Sequence, residues 1–132
     1  MQGTSSIIET LRSATTNSKL KNACANWKDG STAYSVSLKV NYLATILTFN
    51  CEDKARGSCE YTCTVKSTQA IQLVGKDELG CSTSITDATE IHKFIEGVIE
   101  TLKAQAEGDT LTTPCQLWPF LPKEPTLFEM DF

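Results

Sequence analysis

Residues 85–108 carry the one stretch in which start signal, period and stop signal agree, and everything else in the chain has to accommodate it. Asp87 stands three residues before Glu90, the spacing at which an N-cap side chain and a first-turn acid satisfy early backbone N–H groups. Ile91, Phe94, Ile95, Val98, Ile99 and Leu102 then recur at the 3.6-residue period and line one face. Lys103 near the end and Gly108 beyond it supply the closing signals. Six large apolar side chains on one helix face require a sheet or another helix to cover them, each worth roughly 1.5–3 kcal/mol on burial.

The partner surface is read from a change of period. From residue 34 apolar positions alternate: Tyr34, Val36, Leu38, Val40 and Tyr42 against Ser35, Ser37, Lys39 and Asn41. The parity then switches to Leu43, Thr45, Leu47, Phe49 and Cys51, which places a turn or bulge near residues 41–43. Residues 52–57 form a charged hairpin loop closing on glycine, and residues 58–66 return with Cys59, Tyr61, Cys63 and Val65 on one face. Matching the apolar faces of this hairpin requires paired residue numbers to sum to an even value. A sum of 110 sets Phe49 opposite Tyr61, Leu47 opposite Cys63 and Cys51 opposite Cys59, making Cys51 and Cys59 disulfide candidates; a sum of 108 leaves Cys51 in the loop. Residues 70–74 add a short strand, followed by an acidic turn over residues 75–80.

Ahead of the sheet, Ser6 and Glu9 make a second capping box, and Ile7, Ile8 and Leu11 begin an apolar face. Leu20, Cys24 and Trp27 continue at helical spacing to Asp29-Gly30-Ser31, which predicts one bent helix or two. After the long helix the character changes, since all four prolines lie between residues 114 and 125. The expectation for this tail is an extended, non-helical segment. It is too apolar for a solvated linker, and Trp118, Phe120, Leu121, Phe128 and Phe132 are its candidate binding anchors. The expected architecture is α+β: an N-terminal helix, a three- to four-stranded antiparallel sheet, and a long C-terminal amphipathic helix packed on the sheet. Residues 1–113 form the domain, and residues 114–132 form a Pro-rich tail docked on it in cis or on a partner.

Composition enters through what it rules out. At 132 residues, 40% hydrophobic and 21% charged, the chain fits one globular domain with its own core. No apolar run approaches the ~20 residues of a membrane-spanning helix, and no basic, apolar leader opens the chain, so it is either not exported or already processed. Residues 1–66 hold 8 Lys/Arg and 5 Asp/Glu, residues 67–132 hold 4 and 11; the cations are interspersed with carboxylates rather than concentrated in a stripe, which argues against nucleic acid as a partner. Six cysteines, an even number, favour an oxidising, extracellular setting, with a cytoplasmic one as the alternative.

Candidate chemistry is sparse. The single histidine, His92, falls beside the helix's apolar stripe and is expected at the surface, which leaves a catalytic triad or His-rich metal site little to draw on. Cys59 and Cys63 lie ~13 Å apart along an extended strand, too far to share one tetrahedral zinc. Neither GxGxxG nor GxxxxGK[ST] occurs, and Glu96 and Glu100 alternate with Lys93 and Lys103 as a solvated helix face would. The sequence therefore reads as a non-enzymatic, cofactor-free binding protein, secreted and disulfide-stabilised, that meets another protein or a second copy of itself through the tail. The alternatives are an intracellular assembly subunit with reduced thiols and a small carrier of a lipid or other hydrophobic ligand.

Overall fold

The computed structural model describes residues 3–55, 57–66 and 71–121, with side chains from residue 8 onward. Helix α1 (Gly3–Thr15) is followed by strands β1 (Cys24–Asp29), β2 (Thr32–Val40), β3 (Thr45–Asp53), β4 (Gly57–Val65), β5 (Gln72–Asp77) and β6 (Ser82–Ile85). Helix α2 (Ala88–Ala106) and a 3-10 helix (Cys115–Phe120) complete the order. The strands form one antiparallel meander in sequence order. The class is α+β, but the sheet has six strands, not three or four.

Two strands escaped the sequence reading for different reasons. Leu20, Cys24 and Trp27 mimic a helical period, yet in β1 it is Ala25 and Trp27 that are buried in alternation. Pairing with β2 from Cys24↔Ser37 to Asp29↔Thr32 gives that backbone its hydrogen bonds. Gly30, at φ +64°, takes the first central position of the two-residue turn between them. Strand β5 runs through Gly75, which the sequence alone places in a turn. The Tyr61 ring lies over this glycine so closely that a Cβ would sit 2.4 Å from Cε2, the close approach for which a strand uses glycine. Strand β6 is largely polar and exposed, so no apolar alternation marks it.

The central hairpin follows the 110 sum, with Thr45↔Val65, Leu47↔Cys63, Phe49↔Tyr61 and Cys51↔Cys59. Side chains on one face of the sheet therefore align in rows across the strands, Trp27–Tyr34–Cys51–Cys59 and Ala25–Val36–Phe49–Tyr61–Gly75 among them. Trp27 stacks on Tyr34 at 5.3 Å, and Tyr34 on Phe49 at 6.2 Å. Helix α2 crosses this face. Its N-cap is Asp87, whose Oδ1 accepts from the N–H groups of Thr89 (2.8 Å) and Glu90 (3.1 Å), and its buried stripe contains the six apolar residues expected. Phe49, Phe94, Leu38, Leu47, Leu73, Ile95 and Leu102 fill the space between sheet and helix. Helix α1 packs beside α2. There His92 departs from expectation: it is half-buried, with Nε2 3.5 Å from Thr10 Oγ1. A helix on its outer side shields a position that would face solvent in α2 alone.

The opposite face of the sheet is lined by Ser35, Ser37, Thr48, Asn50, Thr62 and Thr64. Ser37 and Thr48 join their hydroxyls across it. An antiparallel sheet tolerates such a solvated face because its backbone polar groups are already paired.

Candidate interaction surface

After α2 the chain turns back over its own helix. Gly108 adopts φ +79°, and the Trp27 indole Nε1 donates to Thr113 Oγ1 at 3.2 Å, tying residue 113 to the first strand. Pro114 caps the 3-10 helix in an extended conformation, with Leu117 N–H donating to its carbonyl at 3.0 Å. The expectation that no part of the tail is helical fails here. A 3-10 turn tolerates Pro119 because its few i→i+3 bonds can omit one N–H, whereas an α-helix would also meet the pyrrolidine ring.

Three contacts hold this turn. Leu117 sits over Gly97 of α2, where an added Cβ would lie 2.6 Å from its Cγ. Phe120 enters the core edge-on, 5.0 Å from the Tyr61 ring and 5.3 Å from that of Phe94. The Cys59 thiol donates to the Phe120 carbonyl at 3.2 Å. Between these anchors the chain must pass its remaining side chains outward. Leu117 is 0% and Phe120 2% exposed, whereas Trp118 is 62% exposed.

The anchors proposed from sequence thus separate. Phe120 is part of this chain's own core, Leu121 is half-buried against it, and Trp118 faces solvent. Phe128 and Phe132 lie outside the described residues. Sequence reasoning counted Leu117 among the apolar residues of the tail but not among its anchors, and gave Gly97 no role. A glycine inside a strong helix, flanked by the buried Ile95 and Val98, was the available sign of a close neighbour.

Cys51 and Cys59 face each other as a cross-strand pair beneath the turn. The Cys59 thiol is pushed far above its ordinary range, first by a hydrogen bond with Cys51, then by burial and by the charge Cys51 would carry. Burial alone pushes Cys63, on the same face of β4, up to about 12. These thiols are neutral at physiological pH and poor nucleophiles. Cys24, Cys81 and Cys115 are exposed. Among the described residues no group of three or more His, Cys, Asp or Glu side chains is arranged to hold a metal ion.

A cleft of about 560 Å³ opens at the end of the sheet where β1–β2 and β3–β4 turn. Its described lining includes Lys28, Glu52, Asp53, Lys54 and Glu78. Asp53 is engaged structurally: Oδ2 accepts from the buried Thr32 hydroxyl and Oδ1 from Ala55 N–H, closing the hairpin. His92 lies on the helical layer, outside this lining. No helix among the described residues is long and apolar enough to cross a membrane. The chain matches no family model, no curated protein and no solved structure.

Proposed function

We propose that the protein is a non-enzymatic binding module that engages another protein, or a second copy of itself, through the surface centred on Trp118. The observation that supports this is the contrast between Trp118, 62% exposed, and its anchors Leu117 and Phe120, which are buried. Indoles dominate binding energetics when a partner desolvates them. The 3-10 turn holds this one in place before any partner arrives, which lowers the ordering cost of association. The module is exported and strengthened by a Cys51–Cys59 disulfide. A cross-strand pair on facing strands has Cα atoms within bridging range.

Two measurements test this reading. Trp118→Ala is expected to leave thermal stability nearly unchanged and to weaken self-association or partner binding at least ~10-fold, as loss of a hot-spot indole does. Unchanged oligomeric state and unchanged partner binding in the folded variant would sink the surface. Intact mass of the native-source protein, alkylated without reduction, is expected to reveal a bridge mapping to Cys51 and Cys59. Six alkylated thiols would instead support the second reading, a reduced intracellular assembly subunit. That alternative draws on Cys24 and Cys81, both exposed, the first opening edge strand β1 and the second in the β5–β6 turn, at least ~19 Å apart at the usual strand spacing and beyond the reach of one another.

A further inference from the structure

The end of the sheet remote from the cleft carries a different surface. The β2–β3 turn projects two large apolar side chains, Tyr42 at 95% and Leu43 at 67% exposure. The turn is stiff. Asn41 Oδ1 accepts from the N–H groups of both Leu43 and Ala44 at 2.8 Å, and Asn41 N–H donates to the Ala44 carbonyl at 3.0 Å. The tip therefore presents apolar side chains while several of its backbone polar groups are satisfied internally. That combination lowers the penalty of leaving water for a lipid interface.

The segments flanking the tip carry lysines and no carboxylate. Lys39 is exposed on β2 beside Ile46, which is partly exposed on the solvated face of the sheet. Lys66 is exposed immediately after Val65, whose partner is Thr45. Val40 N–H donates to Asn22 Oδ1 at 3.0 Å, which brings the exposed Lys21 to the same end. Segments 16–24, 38–48 and 62–66 contain no carboxylate. Two carboxylates also lie toward this end: Glu107, which shares a small cleft with Lys19 and Lys103, so those two lysines are left out of the set, and Asp87, which follows Ile85 at the far edge of the sheet and caps α2. At the opposite end Asp29, Glu52, Asp53, Asp77 and Glu78 outnumber Lys28, Lys54 and Lys76 and leave that end net acidic. A strongly anionic plane would attract the lysine end, repel the acidic end, and so orient the molecule tip-first.

We propose that the Tyr42–Leu43 tip, with Lys21, Lys39 and Lys66 around it, docks this protein on the surface of an anionic lipid bilayer. The occupant is a bilayer rather than a nucleic acid because the most exposed groups are aliphatic and phenolic, and three lysines make a small phosphate-binding footprint. This surface is separate from that of Trp118 and does not rest on it.

The test is flotation of the full chain with phosphatidylcholine vesicles, with and without about 30% phosphatidylserine. The protein is expected to float with the anionic vesicles only, and to be released as salt rises from about 0.05 M to about 0.5 M. Tyr42→Ser/Leu43→Ser and Lys39→Glu/Lys66→Glu are each expected to lower the bound fraction at least ~5-fold, while Trp118→Ala leaves it unchanged. Absence of binding to anionic vesicles, binding that survives both double variants, or binding lost in Trp118→Ala would overturn the proposal. Leu43→Trp supplies a readout independent of any lost binding. Its added fluorescence is expected to be quenched by brominated lipid, and an unquenched indole in the vesicle-bound protein would equally overturn tip-first docking.

Discussion

Single side chains in this core act through space and charge state. Gly75→Ala would drive a methyl group into a Tyr61 ring that Phe94 and Phe120 hold on its other sides. The expected loss is about 1–3 kcal/mol, the usual cost of overpacking, read as a lower urea midpoint with unchanged slope. Cys63 makes stability depend on alkaline pH. Its folded-state pKa, about 12, exceeds that of an unfolded thiol, so the unfolded chain loses its proton first as pH rises. The contribution is complete below about pH 8.5 and declines by roughly 1.4 kcal/mol per pH unit above it until the folded thiol titrates. Urea unfolding under reducing conditions should therefore weaken from about pH 8 to about pH 10, and less steeply in Cys63→Ala than in the parent. Equal slopes in the two proteins would remove Cys63 from this account.

At the scale of elements, the 3-10 helix divides its residues between holding and display. Phe120→Ala is expected to cost about 3–5 kcal/mol and Leu117→Ala about 2–5 kcal/mol, whereas Trp118→Ala should stay within about 0.5 kcal/mol of the parent. Chemical denaturation of the three variants measures that order directly, and a costly Trp118→Ala would mean that the indole belongs to the fold. Gly97→Ala tests the groove from the helix side. Alanine improves helix propensity by about 1 kcal/mol, but its Cβ would meet Leu117 Cγ at 2.6 Å and Cδ2 at 2.8 Å. The turn should lift away, and in the reduced protein the Cys59 thiol that donates to Phe120 should become more accessible to alkylation. Asp87→Ala removes two accepted N–H bonds at the start of α2 and should cost about 1 kcal/mol by the same denaturation assay.

For the whole molecule, one face of a six-stranded sheet is covered by α2, which takes the 3-10 helix that follows it on one side and α1, from the other end of the chain, beside it. A chain ending at Thr113 would leave Phe94, Gly97 and Tyr61 without Leu117 and Phe120, and is expected to bind a hydrophobic dye and unfold with reduced cooperativity. Helix α2, strands β2 to β4 and the parity of their central hairpin were legible in the residues, because caps, turns and matching apolar faces are local instructions, whereas the choice between a pairing sum of 110 and one of 108 was made by the folded sheet. The display of Trp118 was not legible, since Trp118, Phe120 and Leu121 look alike until the Tyr61–Phe94 edge takes Phe120 and, with Leu117 seated on Gly97, leaves the indole outside. Strand β1 was hidden for a related reason: Leu20, Cys24 and Trp27 fit a helical period, and only β2, by offering backbone partners, made the extended form the lower in energy. Gly75 and His92 repeat the pattern, one needing an aromatic ring above it and the other a helix beside it to acquire a role. Local chemistry wrote the long helix and the central hairpin into the chain; which faces are covered, and which aromatic remains in water, depended on contacts between segments that no local period encodes.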